Sequence, residues 1–183
     1  MARIIAVANQ KGGVGKTTTS VNLAEALEIE GGSVLLVDID PQGNATSGLG
    51  VDAMSLGKTI YNALIVKESI TDLAMPTAVN GLSLVPANSH LAGAEVELVN
   101  MEGREQRLKE ALAEVADRYD TILLDCPPAL GLLTINAMVA AHSVLIPVQC
   151  EYYAMEGLGR LMESIERMRQ SLNPSLEIEG IVL

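Results

Sequence analysis

"NQKGGVGKTTT", residues 9–19, follows the apolar run "RIIAVAN" (3–9) and leads into a segment of helical period. Strand, glycine-rich turn and helix in that order are the context in which backbone N–H groups wrap an anion at a helix N-terminus. Gly12, Gly13, Val14 and Gly15 form the turn, Lys16 is placed to reach terminal phosphates, and Thr17 and Thr18 open the helix. The hydroxyl of Thr17 is the kind of ligand that holds Mg²⁺ beside such phosphates. The usual spacing G-x-x-x-x-G-K-[ST] would put a glycine at position 10, where Gln10 stands, and a second lysine, Lys11, comes directly after it. A glycine-rich turn with an incidental lysine is the plain alternative, and the flanking strand and helix speak against it.

Outward from this loop, apolar runs of strand length alternate with helical patterns. "SVLLVD" (33–38), "LSLVPA" (82–87), "TILLDC" (121–126), "SVLIPV" (143–148) and "EIEGIVL" (177–183) read as further strands. Most are continuous apolar runs, the mark of strands covered on both faces. Helices are expected over 16–32, with Val21, Ala24, Ala26 and Leu27 on the apolar side and Gly31-Gly32 as the stop, over 103–120, and over 153–172, where Asn173-Pro174 ends the pattern. Residues 43–81 are less regular, with short helical candidates at 59–66 and 71–74, and read as an excursion over the active edge. The repetition predicts an α/β fold, a doubly wound, mostly parallel sheet with helices on both faces and right-handed crossovers. Ligands of such sheets gather at the C-terminal strand ends.

Three aspartates fall at those ends. Asp125 closes "TILLD" and is placed to hold a Mg²⁺-bound water, while Asp38 and Asp40 end the strand "SVLLVD" (33–38) in "DIDPQGN". A carboxylate facing a γ-phosphate can orient or deprotonate the attacking water, because positioning does most of the work in phosphoryl transfer. Asp38 and Asp40 are both candidates for that role, and Asp38 is a candidate metal-side carboxylate as well. Each alone could be an ordinary strand-end residue; the three beside a phosphate loop form a set.

At 183 residues the chain suits one domain, residues 1–183, with an aliphatic core, since it has no Phe or Trp and four Tyr. Aromatic platforms for bases are correspondingly scarce. The net charge of −11 repels polyanions over most of the surface, and no basic run offsets it. Cys126 and Cys150 lack metal-type spacing and suit a reducing cytoplasm, and no apolar run is long enough for a membrane span or a signal peptide. His90 and His142 are isolated and read as structural or exposed, Cys126 as a small buried residue, and Gln149 and Glu151 as facing a nucleotide or a partner subunit.

"KGGVGKTTT", "LLVDIDPQGNATSGLG", "PANSHLAGAE", "YDTILLDCPPALG" and "PVQCEYYAMEGL" together resemble the ParA (Soj) branch of the deviant Walker A ATPases, the P-loop NTPases of chromosome and plasmid partitioning. The run "DPQGNATSGLG" favours this branch over its MinD relative. The resemblance implies a weak, partner-stimulated ATPase with ATP and Mg²⁺ as cofactors. It further implies an ATP-dependent sandwich homodimer that associates with DNA without sequence preference, a ParB-like partner, and a cytoplasmic, nucleoid-associated location without a membrane. Lys11 matches the signature lysine, Lys16 the phosphate lysine, Thr17 the metal ligand, Asp40 the water-activating aspartate and Asp125 the Walker B aspartate. Pro127 and Pro128 match the segment that senses the γ-phosphate.

Members of that branch are longer, so the resemblance implies that a C-terminal part is missing, with the adenine-contacting loops and most basic residues used on DNA. DNA association of this chain is accordingly expected to be weak. Two other readings stand beside it: a biosynthetic amidoligase of the cobyrinic acid synthase type, for which no substrate-carboxylate pocket is legible, and an iron–sulfur carrier, for which paired cysteines are lacking.

Overall fold

The computed structural model describes residues 1–151 and 154–183. Five-residue apolar strands alternate with helices from the N-terminus: β1 (Arg3–Val7), α1 (Lys16–Ile29), β2 (Val34–Asp38) and α2 (Asn44–Gly48) come first. A 3₁₀ turn at Ala53–Ser55 leads to α3 (Ile60–Val66), α4 (Ile70–Leu73), β3 (Met75–Pro76) and β4 (Leu82–Val85). The remainder is α5 (Leu91–Leu98), α6 (Arg107–Ala113), β5 (Thr121–Asp125), α7 (Leu132–Ala140), β6 (Ser143–Pro147), α8 (Ala154–Ser171) and β7 (Glu177–Val182). They form one seven-stranded sheet in the order β3-β4-β2-β5-β1-β6-β7, parallel throughout except for the β3–β4 pair.

Alternation along each strand divides the core in two, because successive side chains point to opposite faces. Ile4, Ala6, Leu35, Val37, Ile122 and Leu124 join one cluster with residues of α3, α5, α6, α7 and α8. Ile5, Val7, Val34, Leu36 and Leu123 join the other, closed by Ala24 of α1 and Ala45 of α2. The sheet is thus covered on both faces, which is why its strands read as unbroken apolar runs. Each fully buried Leu contributes about 1.5–3 kcal/mol relative to exposure, so the sheet is a stiff platform for the loops at its edge.

The six strands expected from sequence are present, and the excursion is where expectation and structure part. Ile60, Ala63, Leu64, Ile70 and Leu73 bury into the larger cluster, so much of 43–81 packs against the sheet instead of arching over its active edge. The helix expected over 103–120 is regular only over Arg107–Ala113. Beyond it the chain tightens into i→i+3 turns, with Val115 N–H on Leu112 O at 3.1 Å and Arg118 N–H on Val115 O at 2.9 Å, while Leu108, Leu112, Val115 and Ala116 are buried and Ala111 is half-buried. On α1, Ala24 is buried and Ala26 faces solvent, because Ala26 lies two positions round the helix from Ala24. The glycine stop of α1 is present: Gly31 takes φ 92° and donates to Glu28 O at 2.7 Å. The start of the helix expected at 153, with Tyr152 and Tyr153 of the "PVQCEYYAMEGL" run, lies outside the described residues.

Candidate functional site

In the sheet register Val7 and Asp38 both stand beside Asp125, so the ends of β1, β2 and β5 are neighbours. The loops that follow all leave the same edge of the sheet. They enclose a cavity of about 480 Å³ lined by Gly12, Gly13, Gly15, Lys16, Thr17, Thr18, Asp40, Gln42, Asn44 and Pro128. That volume lies within the range of small-ligand sites.

The glycines shape its floor. Gly13 and Gly15 take φ of 73° and 86°, the left-handed region that other residues enter at a cost, and Gly15 is the N-cap of α1. A side chain added at Gly12, Gly13 or Gly15 would point into open space, so bare backbone faces the cavity. Val14 buries its side chain, and the loop is tied from below. Asn9 donates to Pro147 O at 2.7 Å and accepts from Lys11 N–H at 3.1 Å, and Gln149 donates to Gly13 O at 2.8 Å.

Lys16, the first residue of α1, is only 7% exposed, and its Nζ donates to Lys11 O at 3.1 Å. Burial lowers the pKa of its ammonium, while the charges of Asp125 and Asp40 oppose that shift. Asp125 is fully buried. Thr17 donates to its Oδ2 at 2.8 Å and Ser20 to its Oδ1 at 2.7 Å, and burial pushes the carboxyl up to about 6 against the pull of those two hydroxyls. Asp40 is 6% exposed, lines the cavity, and accepts from Gln42 N–H at 2.9 Å.

Lys16, Thr17, Thr18, Asp40 and the three glycines therefore converge on one cavity, with Asp125 immediately behind Thr17. Three expected residues sit differently. Asp38 is fully buried and off the cavity lining, and its oxygens accept from Thr46 N–H, Thr46 Oγ1 and Asp40 N–H at 2.9, 2.7 and 3.1 Å. Its surroundings are those of a loop anchor: its partners Thr46 and Asp40 N–H hold the segment after β2, whereas Asp125, whose oxygens are also engaged, is bound through Thr17 of the cavity lining. Pro127 is buried behind the lining, which takes Pro128 instead. Lys11 lies outside the lining, and its Nζ forms an ion pair with Glu151, both side chains being part-exposed.

Ser20, Gln42 and Asn44 were not singled out from sequence. Ser20 stands three residues after Thr17, hence on the same face of α1, and that spacing was a usable signal. Gln42 and Asn44 follow Asp40 in a loop whose path no periodicity reveals. Of the remaining candidates, Cys126 is buried and Cys150 exposed, His142 Nδ1 accepts from Ile4 N–H at 3.0 Å, and His90 is exposed at the start of α5. Among the described residues no helix is long and apolar enough to cross a membrane, and no group of three His, Cys, Asp or Glu is arranged to hold a metal.

A family model described as an AAA domain matches residues 2–178. The chain is 56% identical over 183 residues to the chromosome partitioning protein ParA of Myxococcus xanthus, covering 100% of this chain and 65% of that one. It is 55% identical to the sporulation initiation inhibitor protein Soj of Bacillus subtilis, covering 100% of this chain and 72% of that one. The chain thus spans about two thirds of the length of these curated relatives. Among solved structures, cobyrinic acid a,c-diamide synthase from Mycobacterium smegmatis with bound ATP analog and magnesium superposes with a TM-score of 0.96 at 43% identity, covering 100% of this chain and 74% of that one.

Proposed function

We propose that this chain, which belongs to the ParA/Soj family of partitioning proteins, binds ATP in the cavity at the ends of β1, β2 and β5 and hydrolyses it as a timer for dimerisation and DNA release. The observation that carries the reading is the convergence of Lys16, Thr17 and Asp40 on one cavity with buried Asp125 against Thr17. Backbone N–H groups of Gly12 to Thr18 cradle the phosphates, and Lys16 neutralises the terminal ones. The oxygens of Thr17 and Asp125, 2.8 Å apart, would hold Mg²⁺, which would supply charge neutralisation to the terminal phosphates.

Asp40 orients the attacking water and takes its proton. As the water oxygen bonds to the γ-phosphorus, the bond to the β-phosphate oxygen breaks, and ADP and phosphate leave. Gln42 N–H holds the Asp40 carboxylate for that task. Pro128 senses the γ-phosphate from the loop after β5, with buried Pro127 behind it. Lys11, outside the lining and at the loop mouth, crosses to the phosphates of a second subunit as an arginine finger does in trans. Turnover is weak until a ParB-like partner stimulates it, and the chain acts in the cytoplasm at the nucleoid.

Purified chain with Mg·ATP should release phosphate slowly, and chelation of the metal should stop it. Phosphate release that survives chelation would count against the reading. An amidoligase is the second reading, favoured by the 43% identity to the Mycobacterium smegmatis synthase. It predicts turnover that rises with a carboxylate substrate and an ammonia donor, and the partitioning reading predicts indifference to both.

A further inference from the structure

Thr46, in α2, is fully buried and off the cavity lining, yet its hydroxyl is hydrogen-bonded twice. Oγ1 donates to Asp38 Oδ2 at 2.7 Å and accepts from Ala87 N–H at 2.9 Å, and the Thr46 N–H donates to the same Oδ2 at 2.9 Å. The other oxygen of Asp38 accepts from Asp40 N–H at 3.1 Å. One carboxylate and one hydroxyl thus tie together the end of β2, the start of α2 and the segment after β4. Between the tied points run residues 40–46, which present Asp40, Gln42 and Asn44 to the cavity. The same segment approaches residue 87 a second time: Gly43 takes φ 63°, and a Cβ there would lie 3.0 Å from Ala87 O.

We infer that Thr46 is a positioning residue for hydrolysis, fixing the segment 40–46 so that the Asp40 carboxylate faces the cavity. The inference rests on the ATPase reading above. A segment of seven residues held at both ends by one buried carboxylate has few alternative paths. In phosphoryl transfer a displacement of about 1 Å in a positioned group costs roughly a hundredfold in rate. Valine at position 46 keeps the volume of threonine but removes the donor to Asp38 and the acceptor for Ala87 N–H, leaving buried polar groups unpaired. Serine keeps both. The phosphate-binding residues, on the loop after β1, are untouched by either change.

The test compares wild type, Thr46→Val and Thr46→Ser in Mg²⁺-dependent ATP turnover, in binding of a fluorescent ATP analogue, and in amide hydrogen exchange over residues 40–46 and at Ala87. Thr46→Val should lose about tenfold to a hundredfold in kcat with analogue affinity within about threefold of wild type. Its exchange should quicken in that segment, and Thr46→Ser should restore both. Gly43→Ala distorts the same segment without touching Thr46. If Thr46→Val does not fold, Gly43→Ala should give the same split. Wild-type kcat in folded Thr46→Val, or in Gly43→Ala where that variant stands in, would overturn the inference, as would parallel losses of kcat and affinity. A wild-type chain without Mg²⁺-dependent turnover would overturn the ATPase reading itself and the positioning role with it.

Discussion

The Nζ of Lys16 donates to the carbonyl oxygen of Lys11 at 3.1 Å, while the Nζ of Lys11 turns the other way into an ion pair with Glu151. The two lysines of the loop are thus joined through backbone and separated by side chain. Lys16 is buried in the cavity wall, and Lys11 is part-exposed at the loop mouth, its side chain directed to Glu151 and outside the cavity lining. A part-exposed ion pair is worth about 0–1 kcal/mol, so Glu151 does not commit Lys11 to its present place.

Lys11→Ala should therefore leave ATP binding by the monomer nearly unchanged and abolish ATP-dependent dimerisation together with turnover. Sedimentation with a non-hydrolysable ATP analogue reads the first, and phosphate release the second. A nucleotide-bound dimer of Lys11→Ala with normal turnover would remove Lys11 from the trans role.

Asp40→Ala should bind Mg·ATP as wild type does and turn over at least about a hundredfold more slowly, the usual contribution of a positioned base. Stopped-flow phosphate release under saturating nucleotide checks this. Equal rates would hand the water to another group.

Acid should stabilise the nucleotide-free chain in a defined window. Burial pushes the carboxyls of Asp38 and Asp125 up to about 7 and about 6, from 3.8 when exposed. Between those values the folded state holds protons that the unfolded state has released. Folding therefore takes up protons, and stability falls as pH rises through the window. Asp120, which hydrogen bonds to Ser33 pull the opposite way, titrates below it. Thermal melts should give a higher Tm near pH 5 than near pH 8, by about 2–4 °C for each kcal/mol, and Asp38→Asn should flatten the trend. A wild-type Tm that climbs from about pH 5 to about pH 8 would contradict the assignment.

Much of this was legible in the sequence for a specific reason. Strands buried on both faces read as apolar runs, and the glycine loop between β1 and α1 carries its own spacing. What could not be read depends on tertiary contact. α7 buries Leu133, Thr134, Asn136, Ala137, Met138, Val139 and Ala140, so it has no polar face to set a helical period. β3 is two residues long and pairs at an edge, below the length at which any pattern forms. Asp38 and Asp40 look equivalent in "DIDPQGN", and only the approach of Thr46 and Ala87 separates an anchor from a cavity residue.

With a net charge of −11, the chain should bind duplex DNA poorly even with ATP, because nonspecific affinity comes from phosphate neutralisation by Lys and Arg. Tight, salt-sensitive retention in a gel shift would mean that a basic surface exists where none is apparent among the described residues.

The central claim is that the cavity bounded by Gly12, Lys16, Thr17 and Asp40 is a Mg·ATP site. Isothermal titration of a non-hydrolysable ATP analogue into the chain, with and without Mg²⁺, tests it most directly. The account predicts one site per chain, tightened by Mg²⁺, and weakened at least about tenfold by Lys16→Ala, as loss of a buried charge-assisted contact requires. Absence of binding, or binding that Lys16→Ala leaves unchanged, would contradict it.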